Sequence, residues 1–220
     1  MASRLIGEDM SSAAPAPVKP EYWDEAVTFL IRKDRILRKI IPAYPNLWLA
    51  TNKTAFVTLA RAIIGQQIST KTADLHWKNF TQVCGHRPTP AAVLEYNEAQ
   101  WREAGLSKRK TEYILDLASH FNEKKVNPLK WSKMDDEDIV TELCAIRGIS
   151  RWTAEMFLIF NLHRPDILPI DDPGLLKAIS VHYFSGEPVS RYEVREVAQS
   201  WQPWRTVATW YLWRSLETVA

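Results

Sequence analysis

The chain has 220 residues, 46% hydrophobic and 25% charged, with a formal net charge of +2. That is enough chain for a proper core in one domain or two small lobes. It is too nearly neutral for overall charge to argue a nucleic-acid partner, which would need a locally concentrated basic surface. The two cysteines, Cys84 and Cys144, exclude a four-cysteine zinc or iron–sulfur site and offer no disulfide framework.

Residues 1–20, including Ala13-Ala14-Pro15-Ala16-Pro17, show no apolar periodicity and are expected to form a disordered tail ahead of one folded region, 21–220. Glu8 and Asp9 stand where a signal peptide needs an apolar run, and no stretch reaches the length of a membrane-spanning helix. A cytoplasmic monomer is therefore expected. From Tyr22 onward the pattern is helical: Ala26, Phe29 and Leu30 make one stripe, and Phe56, Leu59, Ala60, Ile63 and Ile64 a second. Further helices are expected after the caps Asn97, Ser107 and Asp135. No strand alternation appears, so the prediction is an irregular all-α fold of about ten short helices joined by short loops. Of ten tryptophans, Trp201, Trp204, Trp210 and Trp213 fall near the end of the chain, and the spacing of Val207, Trp210 and Leu216 predicts a core helix there.

Two segments carry chemistry. In Leu143-Cys144-Ala145-Ile146-Arg147-Gly148-Ile149-Ser150-Arg151-Trp152-Thr153-Ala154 a helix ends, the chain turns at Gly148, and a second helix begins. Gly148 permits the sharp turn, and the N–H groups opening the second helix form a positive pole suited to a phosphate. Taken alone, an αα-hairpin that merely needs a glycine explains the segment equally well. In Ile167-Leu168-Pro169-Ile170-Asp171-Asp172-Pro173-Gly174-Leu175-Leu176-Lys177-Ala178 an apolar loop delivers two acids to a helix start. Pro173 suits the first helical position, which makes Asp172 the N-cap. Capping alone would also account for Asp172.

Together with Arg61-Ala62-Ile63-Ile64-Gly65-Gln66-Gln67-Ile68-Ser69 and the Pro203-Trp204-Arg205 run leading to Trp213, these segments resemble the helix-hairpin-helix superfamily of DNA glycosylases, in particular the 3-methyladenine DNA glycosylase II branch. The resemblance spans about Phe56 to Trp213 and implies two helical lobes with the hairpin at the rim of the cleft between them. It implies that Asp172 is the catalytic carboxylate, Asp171 a less critical neighbour, and Gln67 the wedge that fills the duplex when a base leaves. Trp152, Met156 and Trp213 are implied as the base pocket. DNA contacts are implied at Arg147, Gly148, Ile149, Ser150 and Arg151, and phosphate contacts are expected at Lys108 and Lys110 of the Lys108-Arg109-Lys110 cluster. No cofactor is required, although the resemblance suggests a monovalent cation on the backbone carbonyls of Cys144, Ile146 and Ile149.

Ser150 stands where the commoner pattern has a second hairpin glycine, and the slot in which bifunctional relatives carry a Schiff-base lysine is Trp152. The expected activity is thus hydrolysis of the N-glycosidic bond of alkylated bases in duplex DNA, leaving an abasic site and cutting no strand. The alternatives are a glycosylase for oxidised or mismatched bases and a non-catalytic DNA-binding module. Arg205 is expected to anchor a carboxylate within the fold.

Overall fold

The computed structural model describes residues 19–50 and 54–217; residues 1–18 of the expected tail lie outside the described residues. Among them there are thirteen α-helices and no strand: α1 Trp23–Lys33, α2 Leu37–Ile40, α3 Ala55–Gly65, α4 Thr70–Val83, α5 Pro90–Leu94, α6 Glu98–Glu103, α7 Lys108–Asn122, α8 Pro128–Trp131, α9 Asp136–Cys144, α10 Arg151–Phe160, α11 Pro173–Tyr183, α12 Arg191–Gln199 and α13 Arg205–Glu217. The helices beyond the expected ten include α2, α5 and α8, of four or five residues. They are too short for a 3.6-residue period to show in sequence. None of the described helices is long and apolar enough to cross a membrane.

Capping sets several helix starts. Asn97 and Gln100 form a reciprocal capping box at α6, and the Ser107 hydroxyl accepts from the Lys110 N–H at α7. Asp135 occupies the cap position of α9 but makes no side-chain cap bond.

The chain divides into two compact units, Met1–Asn52 with Leu158–Ala220, and Lys53–Phe157. In the first, α13 is buried from Thr206 to Trp213 and packs against α1, α2 and α11. A helix covered on every side is a core element, and its aromatic side chains do the packing. Trp23 of α1 meets Trp210 edge to face at 5.3 Å, a contact of about 0.5–1.5 kcal/mol beyond the area it buries. Two acids are tied into this unit. Asp34 accepts from the Ile36 and Leu37 N–H groups through Oδ1, and from Tyr183 Oη and Trp201 Nε1 through Oδ2. Asp166 takes the bidentate Arg205 guanidinium at 2.7 and 2.8 Å, so Arg205 does anchor a carboxylate. In the second unit α3 packs on α4 and α7, with α5 and α6 also against α7. Ile63 and Ile64 of the predicted stripe are fully buried.

Candidate functional site

The hairpin lies in the second unit, between the end of α9 at Cys144 and the start of α10 at Arg151. Ile149 N–H closes the turn onto the Ile146 carbonyl at 3.1 Å, and Gly148 has φ +88°. The second reason for glycine is steric: a Cβ there would stand 2.2 Å from Cδ2 of Tyr113. Ser150 precedes α10 and caps it, its hydroxyl accepting from the Thr153 N–H at 3.2 Å. The departure from a second glycine therefore puts a capping side chain at the helix start. The first N–H groups of α10 have no carbonyl of their own helix to bond.

The hairpin cations differ from the expectation. Arg151 donates to Glu137 and to Glu155, and holds the Glu137 carboxyl below the usual carboxylate range. Arg147 donates through its guanidinium to Glu112 and through its backbone N–H to Asp116. Both arginines are thus already paired with acids. The Arg147–Glu112 and Arg151–Glu137 pairs are largely exposed and weak, whereas Glu155 is buried beside Arg151, so a phosphate gains less at either arginine than it would from a bare cation.

Lys110 needs a larger correction as an expected surface phosphate contact. It is 8% exposed, and its ammonium donates to the Ile64 carbonyl at the end of α3 at 2.6 Å. Burial, with Arg109 nearby, lowers its pKa from the ordinary lysine value. The helix-end carbonyl attracts the ammonium, but burial outweighs that attraction. Lys108 remains exposed.

The loop after α3 carries Gln67, which is exposed with φ +57°, and Arg109 donates to its Oε1 at 3.1 Å. A non-glycine residue held in this region stores about 1 kcal/mol or more. Its neighbour Gln66 donates from Nε2 to the Gly148 carbonyl at 2.8 Å, so the same loop is bonded to the hairpin. Neither Gln66 nor Tyr113 was legible as part of this arrangement, because each acts through a partner tens of residues away. A cavity of about 890 Å³ opens beside this loop, lined among others by Gln67, His76, Arg102, Lys108 and Arg109. On α10, Trp152 is half-buried and Met156, one turn later, is buried.

In the first unit Asp172 is the N-cap of α11, with Pro173 at the first helical position. It is 0% exposed. Its Oδ1 accepts from the Leu175 N–H at 2.7 Å and from Trp213 Nε1 at 2.8 Å, so the structure brings these two expected site residues together. Trp213 stacks on Phe160 with centroids 5.7 Å apart and planes at 13°. Asp171 is exposed and paired with Arg191. Neither the 890 Å³ cavity nor a second of about 280 Å³ is lined by Asp172.

Helices without a strand among the described residues, a glycine hairpin and an aspartate capping a later helix are together the arrangement of a helix-hairpin-helix protein. Residues 60–203 match the HhH-GPD superfamily of base excision DNA repair proteins, and the chain belongs to that family. It is 30% identical to DNA-3-methyladenine glycosylase 1 of Schizosaccharomyces pombe over 187 residues, 81% of this chain and 80% of that one. Other curated relatives are matched over 66% and 75% of their own length. Among solved structures, a DNA-3-methyladenine glycosidase of Bacillus halodurans superposes with a TM-score of 0.83 at 30% identity, over 88% of this chain and 90% of that one. The Schizosaccharomyces pombe 3-methyladenine DNA glycosylase in complex with abasic DNA gives 0.74 at 25% identity, over 88% and 97%.

Proposed function

We propose that this chain is a DNA glycosylase that hydrolyses the N-glycosidic bond of alkylated bases of the 3-methyladenine class in duplex DNA, leaving an abasic site without strand cleavage. One observation carries the reading: the Asp172 carboxylate is held at the head of α11 by two N–H donors on one oxygen, in a member of a base-excision family. Loss of the base builds positive charge on the sugar. A carboxylate about 4 Å away at an effective dielectric of about 20 lowers the barrier by about 4 kcal/mol, roughly three powers of ten in rate. An alkylated purine already carries positive charge, so the C1′–N bond breaks without a general acid, its electrons leaving on the now neutral base, and water adds to C1′ and gives up a proton to solvent.

A base inside a duplex must first be unstacked, at about a few kcal/mol, less for a damaged base. Gln67, exposed and in strained backbone, is the side chain we assign to the gap. Trp152 is assigned to the extruded base, where stacking contributes roughly 1–3 kcal/mol and a cationic purine adds attraction to the indole. Met156 follows on the same face of α10. The backbone N–H groups at the start of α10, with Lys108, bind phosphates and fix the register without reading sequence. The hairpin carbonyls of Cys144, Ile146 and Ile149 are the groups that would hold a monovalent cation. The Ile146 oxygen already accepts one N–H and has a second lone pair to offer, and the chemistry above needs no such ion.

The test is incubation with methylated duplex DNA and chromatographic identification of the released bases. Wild-type protein is expected to release methylated purines, and Asp172→Asn to lose about three powers of ten in rate. Strand nicking together with a protein–DNA adduct trapped by borohydride would refute the monofunctional assignment, since the reducible imine needs an amine nucleophile. A second reading, a non-catalytic DNA-binding module in which Asp172 only caps α11, is favoured by the complete burial of that side chain. It predicts binding to abasic DNA with no base release from any substrate.

A further inference from the structure

We propose that Trp213 and Gly174 are positioning residues for the Asp172 carboxylate, with the Trp213 indole N–H, rather than its ring face, as the working group. The inference rests on the catalytic reading of Asp172 given above. An N-cap aspartate needs only the backbone donor, here the Leu175 N–H. Asp172 receives a second donor from another helix, Nε1 of Trp213 on α13, on the same oxygen at 2.8 Å. Two donors on Oδ1 fix the rotation of the carboxylate and hence the direction of its other oxygen. Bonds of this type, with an ionised acceptor, are roughly twice as strong as neutral ones.

The indole is itself held in place. Phe160 covers one face in a near-parallel stack, and the side chain is only 8% exposed. The opening of α11 is shaped to admit it. A Cβ on Gly174 would lie 3.0 Å from Asp172 Oδ1, 3.1 Å from Trp213 Cδ1 and 3.2 Å from its Nε1. A side chain there would require the donor and acceptor atoms to give by a few tenths of an ångström. The missing Cβ of Gly174 leaves the Trp213 indole room beside the carboxylate.

The experiment uses Trp213→Phe, which keeps an aromatic ring and the stack on Phe160 while removing the donor. Single-turnover release of 3-methyladenine from a methylated duplex is expected to slow about 10- to 100-fold. Affinity for a duplex carrying an uncleavable tetrahydrofuran abasic analogue should stay within about twofold, because donor loss does not remove a DNA contact. Trp213→Leu should be about as slow as Trp213→Phe. Gly174→Ala, which retains every donor but displaces the ring, should slow release about 3- to 10-fold. In an Asp172→Asn background, adding Trp213→Phe should change the residual rate by less than about twofold, because a residue that acts through the carboxylate has nothing left to act on.

Full activity in Trp213→Phe, or an equal loss from it in both backgrounds, overturns the proposal and leaves the catalytic reading intact. Full activity in Asp172→Asn overturns both. Should Trp213→Phe fail to fold, Gly174→Ala in the two backgrounds gives the same cycle, and undiminished release from it overturns the proposal.

Discussion

Gly148→Ala tests how the hairpin is built. The substitution forces an L-residue to φ +88°, at about 1–2 kcal/mol. It also drives a methyl group into the Tyr113 ring, with Cβ 2.2 Å from Cδ2, 2.6 Å from Cγ and 2.7 Å from Cε2. All three distances are well inside van der Waals contact, so the ring must swing away, and overpacking of this kind costs about 1–3 kcal/mol. The two effects together predict a loss of about 2–5 kcal/mol in urea unfolding, or roughly 4–20 °C in Tm for a chain of this size. Tyr113→Ala in the same protein removes the steric part and leaves the backbone part, so a double-mutant cycle should return about 1–3 kcal/mol of coupling. Displacing the turn also moves the Gly148 carbonyl that Gln66 holds, and affinity for abasic DNA should fall about tenfold, as expected when main-chain donors lose alignment. A variant within about 0.5 kcal/mol of wild type, or a cycle without coupling, would refute the account.

Other substitutions probe groups that the fold has already committed. Lys110 has a lowered pKa in the folded chain, so between that value and the ordinary 10.5 the unfolded chain binds more protons and stability rises with pH. Lys110→Met should lack that rise, and parallel urea-unfolding profiles for the two proteins from neutral pH to 10.5 would show the reasoning to be wrong. Asp34→Asn replaces an oxygen that accepts from Tyr183 and Trp201 with a donor, or turns that donor onto the Ile36 and Leu37 N–H groups; a loss of about 3 kcal/mol is expected on thermal or urea unfolding. Arg205→Lys should cost about 1–2 kcal/mol, since an ammonium cannot reproduce the planar fork on Asp166. A loss no greater than that of an exposed lysine substitution would show that the fork contributes nothing.

Much of the local structure was legible because its signals lie within a turn or two of chain. The stripe from Phe56 to Ile64, the caps at Asn97, Ser107 and Asp172, and the hairpin glycine each state their own geometry through side-chain period or backbone φ. The fate of the charges was not legible in this way. Lys110 and Arg109 are adjacent in sequence, yet one ammonium turns inward to a carbonyl 46 residues away and the other cation reaches Gln67, 42 residues away. Sequence gives the presence of a cation and not the partner that folding places beside it.

The aspartate shows the same division. Sequence by itself determined that Asp172 begins a helix, since Pro173 and the apolar run after it permit little else. Only the tertiary structure decided that an indole 41 residues later would bond to it, and that Gly174 would be the atom-sized gap allowing the approach. The capping pattern around Asp172 and Pro173 gives no local reason for a glycine at 174. The reason lay in the packing of α13 against α11, and packing between helices is set by side-chain shapes that no local window contains.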